Sequence, residues 1–362
     1  MTEFQPLHGG QLQQIADRFG ISSAELLDFS ANINPDGPPP EVPIVLQQAI
    51  SKPSILMNYP DLDEVELRQS LASYCGTRPE NLVVANGFVP LLDAALQVLS
   101  PRICLVPVPA FVEYRRTLER SKVEMIPFNL ASDSDFKCDA ADLFNDSSDA
   151  ILLANPQNPS GVLWPRETIL SLLELAAERK MHLLLDEAFI DYYPEASLIS
   201  EIDRFANLIV FRSVTKFFGI AGLRVAYAVA NAELSKRLQE VIAPWAITSL
   251  TSLAAGVAVR DATYIHRTIA LNSERRGRLH TAVFDLGIRL YPSEANFLLL
   301  RLPESISRQQ LWERMIRKHH IVLRNCANYE GLSNSHLRVA VRTNADNERL
   351  IEALAYEVKH GR

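Results

Sequence analysis

The chain has only four cysteines in 362 residues, and Cys75, Cys104, Cys138 and Cys326 stand far apart with no CxxC pair among them. A disulfide framework is therefore not expected, and four free thiols in a reducing compartment are. No apolar run reaches the roughly 18 residues that a membrane-spanning helix needs. The opening MTEFQPLHGGQLQQIADRFG lacks the basic start and apolar core of an export signal, so a cytosolic protein is expected. An excess of basic residues is also missing: the net charge is -7. Neither nucleic acid nor a membrane surface is expected as a partner, although a local basic pocket for a small anion is compatible with that charge. There is no internal repeat and no low-complexity tract. What is present is a 48% hydrophobic, 22% charged composition, enough for a large core in one or two domains.

Residues 1–45 carry turn signals, with HGG at 8–10 and FSANINPDGPPP ending at Pro40, and little periodicity. They read as an N-terminal arm that packs on something else. From 46 to 245, helical stretches (62–75, 90–99, 165–179) alternate with short apolar runs at 103–108, 150–155, 182–188, 207–213 and 225–230. Short apolar runs bounded by turns fit strands buried on both faces of a mainly parallel sheet, and their alternation with helices predicts an α/β fold. Ligands of such folds bind at the carboxyl ends of the strands, where Asn155, Asp186 and Ser213 fall. From 246 to 362 the order is less regular. A long helical region runs to about 285, then come apolar runs at 291–302, 320–326 and 336–343 and helices at 307–318 and 345–359. This predicts a smaller C-terminal α+β domain.

The polar residues at the strand ends suggest chemistry. In SVTKFFGIAGLR, Ser213 precedes Lys216 by three residues and Arg224 follows it by eight. Burial and a neighbouring cation both lower a lysine pKa toward the neutral nucleophile, and a hydroxyl with a guanidinium can hold a phosphate. Asp186 closes the apolar run LLLD, where a carboxylate is costly unless paired; a cationic ring nitrogen would supply the partner. No histidine cluster lies nearby, so no metal is expected. Asn158 lies between two prolines in ANPQNPSG, which hold its amide in place. After VVAN, the Gly87, Phe88 and Val89 amides open a helix, the kind of end that binds phosphate through free N–H groups and the helix dipole. Phe111, in a proline-bounded loop, could stack on a flat heterocycle. Taken singly, each segment also fits a plain turn, a strand cap or a core aromatic.

In this order the segments resemble the fold-type I enzymes that use pyridoxal 5'-phosphate (PLP), over nearly the whole chain. The resemblance implies that Lys216 is the Schiff-base lysine, that Asp186 faces the pyridine nitrogen, that Asn158 contacts the ring oxygen and that Phe111 stacks on the ring. It assigns Ser213, Arg224 and the amides of Gly87, Phe88 and Val89 to the cofactor phosphate. Tyr59, in NYPD, would reach the phosphate bound by a neighbouring subunit, which implies a homodimer with shared sites. Within the fold the chain is similar to the branch of histidinol-phosphate aminotransferases and threonine-phosphate decarboxylases. HGG, LLDFSANINPDG (26–37), Phe189 in DEAFIDY, APWAITSLTSLAA (243–255), LRNCANYEGL and LRVAVRTNADNERL tilt it toward the decarboxylases of cobalamin synthesis. The phosphate turn departs from the family: it reads NGFVP, and Val89 has no hydroxyl.

The implied reaction is loss of carbon dioxide from L-threonine O-phosphate to give (R)-1-aminopropan-2-yl phosphate. Arg338, helped by Asn32, would take the carboxylate. Arg324 and His8 would take the substrate phosphate, His8 coming from the arm with reach across the dimer as one route; Arg342 is a weaker candidate. The alternatives are an aminotransferase acting on histidinol phosphate or a related amino acid, and a decarboxylase for another phosphorylated or phosphonate amino acid. A PLP-sensing DNA-binding regulator would need an added helix-turn-helix domain, and the arm is too short and not basic.

Overall fold

A computed structural model describes residues 6, 8–144 and 147–360. The apolar runs become strands of a seven-stranded sheet. In chain order after the arm strand β1 (Leu27–Asp28) they are β2 (Leu82–Ala85), β3 (Ile103–Val108), β4 (Glu124–Asn129), β5 (Ala150–Ala154), β6 (His182–Asp186), β7 (Leu208–Ser213) and β8 (Ala226–Val229). Their spatial order is β2-β8-β7-β6-β5-β3-β4. All neighbours run parallel except β8, which is antiparallel to β2 and β7. The register aligns the strand ends: Ala154 pairs with Asp186, and Asp186 with Phe211.

Period-two alternation sends each strand into two cores. Leu152, Leu184, Ile209 and Phe211 pack with Leu92, Leu118 and Leu238 of the helices Phe88–Leu99, Val112–Arg120 and Ala232–Val241. Ile151, Leu183, Leu185 and Val210 pack on the other face with Leu71, Leu172 and Ala255 of the helices Val65–Cys75, Arg166–Glu178 and Ser249–Ala258. Each fully buried leucine contributes about 1.5–3 kcal/mol, which explains why the central strands carry no alternating polar face.

The remaining strands are β9 (Arg289–Leu290), β10 (Phe297–Arg301), β11 (Ile321–Val322), β12 (Arg324–Asn325) and β13 (His336–Ala340). Four of them form an antiparallel sheet in the order β12-β13-β10-β9. A separate core joins this sheet to the helices Arg308–His319 and Asn344–His360 through Leu298, Trp312, Met315, Val339 and Leu350. Together these elements give the fold-type I architecture: a mainly parallel central sheet flanked by helices, with a smaller α+β body.

Several elements differ from the sequence expectation. The arm contains a helix, Leu12–Phe19, which buries Ile15 and Ala16 in the smaller core, and β1 pairs in parallel with β11. The run 320–326 divides between two sheets, Ile321–Val322 pairing with the arm and Arg324–Asn325 with β13. The helix expected over 62–75 begins at Val65, because Glu64 takes a left-handed backbone with φ 51°. The region to 285 is two helices, Ser249–Ala258 and Ala262–Phe284, the second capped by Asp261, which accepts from the Tyr264 amide. No disulfide joins the cysteines, and no helix among the described residues is long and apolar enough to cross a membrane.

Candidate active site

Strand β6 stops at Asp186 because its carboxylate turns the chain: Oδ1 accepts from the Ala188 amide at 2.9 Å, a local bond that competes with the ladder. The apolar run expected to continue to 188 therefore ends two residues earlier. Oδ2 accepts from the Tyr114 hydroxyl at 2.5 Å. Burial pushes the Asp186 pKa up; the Tyr114 hydrogen bond, Lys216 and the Ala188 amide hold it down. Glu187, one residue on, faces the opposite side of the sheet, where Arg212 Nη1 donates to it at 3.2 Å and Nη2 donates to Asp191 at 2.5 Å. That buried cluster anchors the ends of β6 and β7 from behind.

Lys216 follows β7, and its Nζ donates to Ser213 Oγ at 3.1 Å. Burial is the main force pushing the Lys216 pKa down; Asp186 opposes it and Arg224 adds to it. Ser213 Oγ lies 2.7 Å from the Thr215 hydroxyl. The helix Phe88–Leu99 opens at Gly87, whose φ of 97° suits glycine. A Cβ at Gly87 would lie 2.9 Å from Arg224 Nη2, so the glycine leaves room for that guanidinium to lie against the helix start. Pro90 brings no N–H and Val89 no hydroxyl, which leaves backbone amides, Arg224 and the two hydroxyls as donors for an anion here.

These groups line one side of a cavity of about 400 Å³, within the range of small-molecule sites. Phe111 lines it too. Asn158 Oδ1 accepts from Arg338 Nη1 at 2.6 Å and from the Tyr329 hydroxyl at 3.2 Å, which leaves the amide nitrogen as donor to a ligand. Phe189 packs edge-on against Phe297 at 4.9 Å, and Lys216 Nζ lies 5.5 Å from its ring centre.

The opposite side comes from the smaller body and the arm. Arg338, on β13, is 5% exposed and donates to the Ser30 carbonyl at 3.2 Å. With the Asn32 amide turned so that its oxygen faces the guanidinium, that oxygen accepts at 3.2 and 3.1 Å. Arg324, on β12, donates to the Pro6 and Asn325 carbonyls and to Asn328 Oδ1, each at 2.8 Å. His8 Nε2 lies 2.9 Å from Glu113 Oε1, and the Gly10 amide donates to Ser30 Oγ at 2.9 Å. The arm thus closes over the cavity of its own chain, which corrects the route for His8 across a dimer.

The cavity gathers every residue singled out for cofactor or substrate except Asp186, Tyr59 and the weaker candidate Arg342. Tyr59 is 80% exposed and stacks on Trp245 at 4.7 Å, outside this chain's cavity. Arg342 also lies outside the lining and is bonded to Asp346 and to the Asp28 carbonyl. Tyr114, Thr215, Glu113, Ser30 and Tyr329 escaped the sequence reading. Tyr114 follows Phe111 by one helical turn, Thr215 lies inside SVTK and Tyr329 inside LRNCANYEGL, so proximity to the motifs was the signal.

The sequence profile of the family "Aminotransferase class I and II" matches residues 24–354. The threonine-phosphate decarboxylase of Salmonella typhimurium is 34% identical over 360 residues, 98% of this chain and 97% of that protein. The crystal structure of the histidinol-phosphate aminotransferase from Clostridium acetobutylicum superposes with a TM-score of 0.86 at 29% identity, covering 92% of this chain and 99% of that one. The L-threonine-O-3-phosphate decarboxylase from Porphyromonas gingivalis superposes with a TM-score of 0.77 at 26% identity, over 91% and 99%. Sequence and architecture agree across nearly the full length, and the chain belongs to the class I and II aminotransferase family.

Proposed function

We propose that the chain binds PLP and decarboxylates L-threonine O-phosphate to (R)-1-aminopropan-2-yl phosphate. The observation that carries this reading is a half-buried lysine, next to the buried Asp186, lining a cavity that also holds two separate arginines, Arg338 and Arg324, on the facing body.

The donor set fits the cofactor. Asp186 is a buried carboxylate without an arginine on it, the partner a pyridinium nitrogen requires. Ser213, Thr215, Arg224 and the opening of the helix at Gly87 suit its phosphate, Asn158 its ring hydroxyl and Phe111 its face. When bound, PLP supplies an aldehyde for amines and a cationic ring that draws electrons from a bond at the substrate Cα.

The residues of the chain supply the rest. Lys216, biased by burial toward the neutral amine, would hold the aldehyde of the cofactor and, once displaced by the substrate, would take up the proton that the substrate ammonium gives up. Arg338 and Asn32 grip the carboxylate through the planar fork of the guanidinium. Arg324 and His8 take the phosphate. With both ends fixed, the substrate presents one chosen bond to the ring, and that orientation separates carbon dioxide loss from proton removal. Once carbon dioxide has left, Lys216 would deliver that proton to Cα in place of the carboxylate.

The aminotransferase reading keeps its own support in the similarity to histidinol-phosphate aminotransferases. Incubating the PLP-loaded protein with threonine phosphate and no keto acid distinguishes the two. Release of one carbon dioxide per substrate, abolished in Lys216→Ala, is expected; turnover that requires 2-oxoglutarate would overturn the decarboxylase reading.

We also propose a homodimer. Leu56, Met57, Tyr59, Leu62 and Trp245 are 46–80% exposed, an apolar surface of the kind that marks an interface. A second copy docking there would let Tyr59 reach the partner's cofactor phosphate.

A further inference from the structure

The cavity is lined by Lys216, Arg224, Arg324 and Arg338, as expected for a doubly anionic substrate, yet one carboxylate also lines it. Glu113 lies in the first turn of the helix Val112–Arg120, and its side chain is only 14% exposed. Placed directly against a substrate phosphate it would repel it. Its contacts indicate another role. Oε1 lies 2.9 Å from His8 Nε2 and 2.7 Å from Arg116 Nη1, one turn along the same helix. His8 is thereby held by one ring nitrogen, which leaves Nδ1 for a ligand. The backbone of His8 is fixed as well, its amide donating to Gln11 Oε1 at 2.8 Å.

The groups that face the His8 imidazole come from three elements. Glu113 and Arg116 come from the helix, Arg324 from β12, and the Phe111 ring, 6.2 Å away, from the loop before the helix. Burial pushes the His8 pKa down most strongly, and Arg324 and Arg116 push the same way; Glu113 opposes them.

We propose that Glu113 is a positioning residue that fixes His8 through Nε2 and makes it a proton-linked reader of a phosphate monoester, neutral in the free protein and cationic once phosphate lies against Nδ1. This rests on the reading above that the substrate is phosphorylated, and not on which bond at Cα is broken. A ligand that binds the imidazolium raises its proton affinity. Phosphate affinity is therefore highest below the free-state pKa of His8 and falls as pH rises from there to the higher pKa of the complex. Within that window the loss is about tenfold per pH unit for one linked proton. The second ionisation of the phosphate, near pH 6, acts on the acid side and leaves the range above it clear.

Glu113→Gln keeps the shape and the hydrogen-bond acceptor and removes the charge, so His8 is harder to protonate and affinity falls at lower pH. Arg116→Gln removes the competing cation, so the fall moves to higher pH. Opposite shifts from two neighbouring substitutions are not what a merely structural contact produces.

The test is calorimetric titration of PLP-loaded protein with propan-2-yl phosphate, which has no amine to react, from pH 6.5 to 9 in buffers of different ionisation heat. Wild type is expected to take up close to one proton per ligand near pH 8. At that pH Glu113→Gln should bind roughly five- to tenfold more weakly, the gap persisting down to the free-state pKa of His8, and Arg116→Gln more tightly. Binding by wild type without proton uptake, or with the same pH dependence in all three proteins, overturns this inference alone. No binding by wild type overturns the phosphorylated-substrate reading and this inference with it.

Discussion

Asp186 is buried and Lys216 half-buried beside it, and loss of water drives each toward its neutral form. For the aspartate the consequence reaches stability. Its pKa is raised above the ordinary 3.8, so its favourable contribution to the cofactor-free fold is complete below about that pH and is lost as pH climbs through the folded value. At pH 8 the free chain carries that cost, which a cationic ring nitrogen would offset. Asp186→Asn removes the charge while keeping an acceptor for Tyr114. Its cofactor-free form is expected to melt about 2–4 °C above wild type at pH 8, yet to gain much less from added PLP. Differential scanning calorimetry with and without cofactor checks both, and a variant that melts below wild type when cofactor-free would sink the argument. At this scale the sequence was readable where chemistry lies within one loop, as in Ser213, Lys216 and Arg224. Tyr114 was not, because its partner Asp186 lies 72 residues away and nothing local announces a hydroxyl bound for a distant carboxylate.

Among elements, the arm departs furthest from its sequence reading. Leu12, Ile15, Ala16 and Phe19 have the spacing of a helix face, but the glycines at 9, 10 and 20 mask so short a pattern. The two-residue strand at Leu27 has no pattern to read; its partner alone makes it a strand. Arm placement depends on a close approach at Gly9, where a Cβ would fall 2.0 Å from the Ser30 carbonyl oxygen. Gly9→Ala must lift the arm and loosen the bonds from Gly10 to Ser30 and from Arg324 to Pro6. Since the helix Leu12–Phe19 remains packed in the smaller core, the thermal midpoint should change little while KM rises tenfold or more. Steady-state kinetics beside a melting curve decides it; an unchanged KM would remove the arm from substrate binding. The central strands were legible as unbroken apolar runs bounded by turns, and the long helices by their sustained periodicity. The stop at Asp186 was not, because it depends on a carboxylate bonding to its own chain two residues on.

At the scale of the whole molecule, the alternation of apolar runs and helices fixes the α/β class, but spatial strand order does not follow from it: β8 enters between β2 and β7 only through tertiary pairing. The apolar surface from Leu56 to Leu62 with Trp245 yields a direct prediction. Wild type should sediment at about twice the chain mass, and Met57→Asp with Leu62→Asp should sediment as a single chain with weakened PLP retention. Analytical ultracentrifugation checks the first and cofactor dialysis the second; a monomeric wild type would remove the dimer and the cross-subunit role of Tyr59 together. The bond from Arg324 to the Pro6 carbonyl, 2.8 Å long, also has a practical side. Arg324 holds the arm with the same guanidinium proposed to take the phosphate, so Arg324→Ala loosens the arm and weakens the anion grip at once, and its kinetic loss is the sum of both.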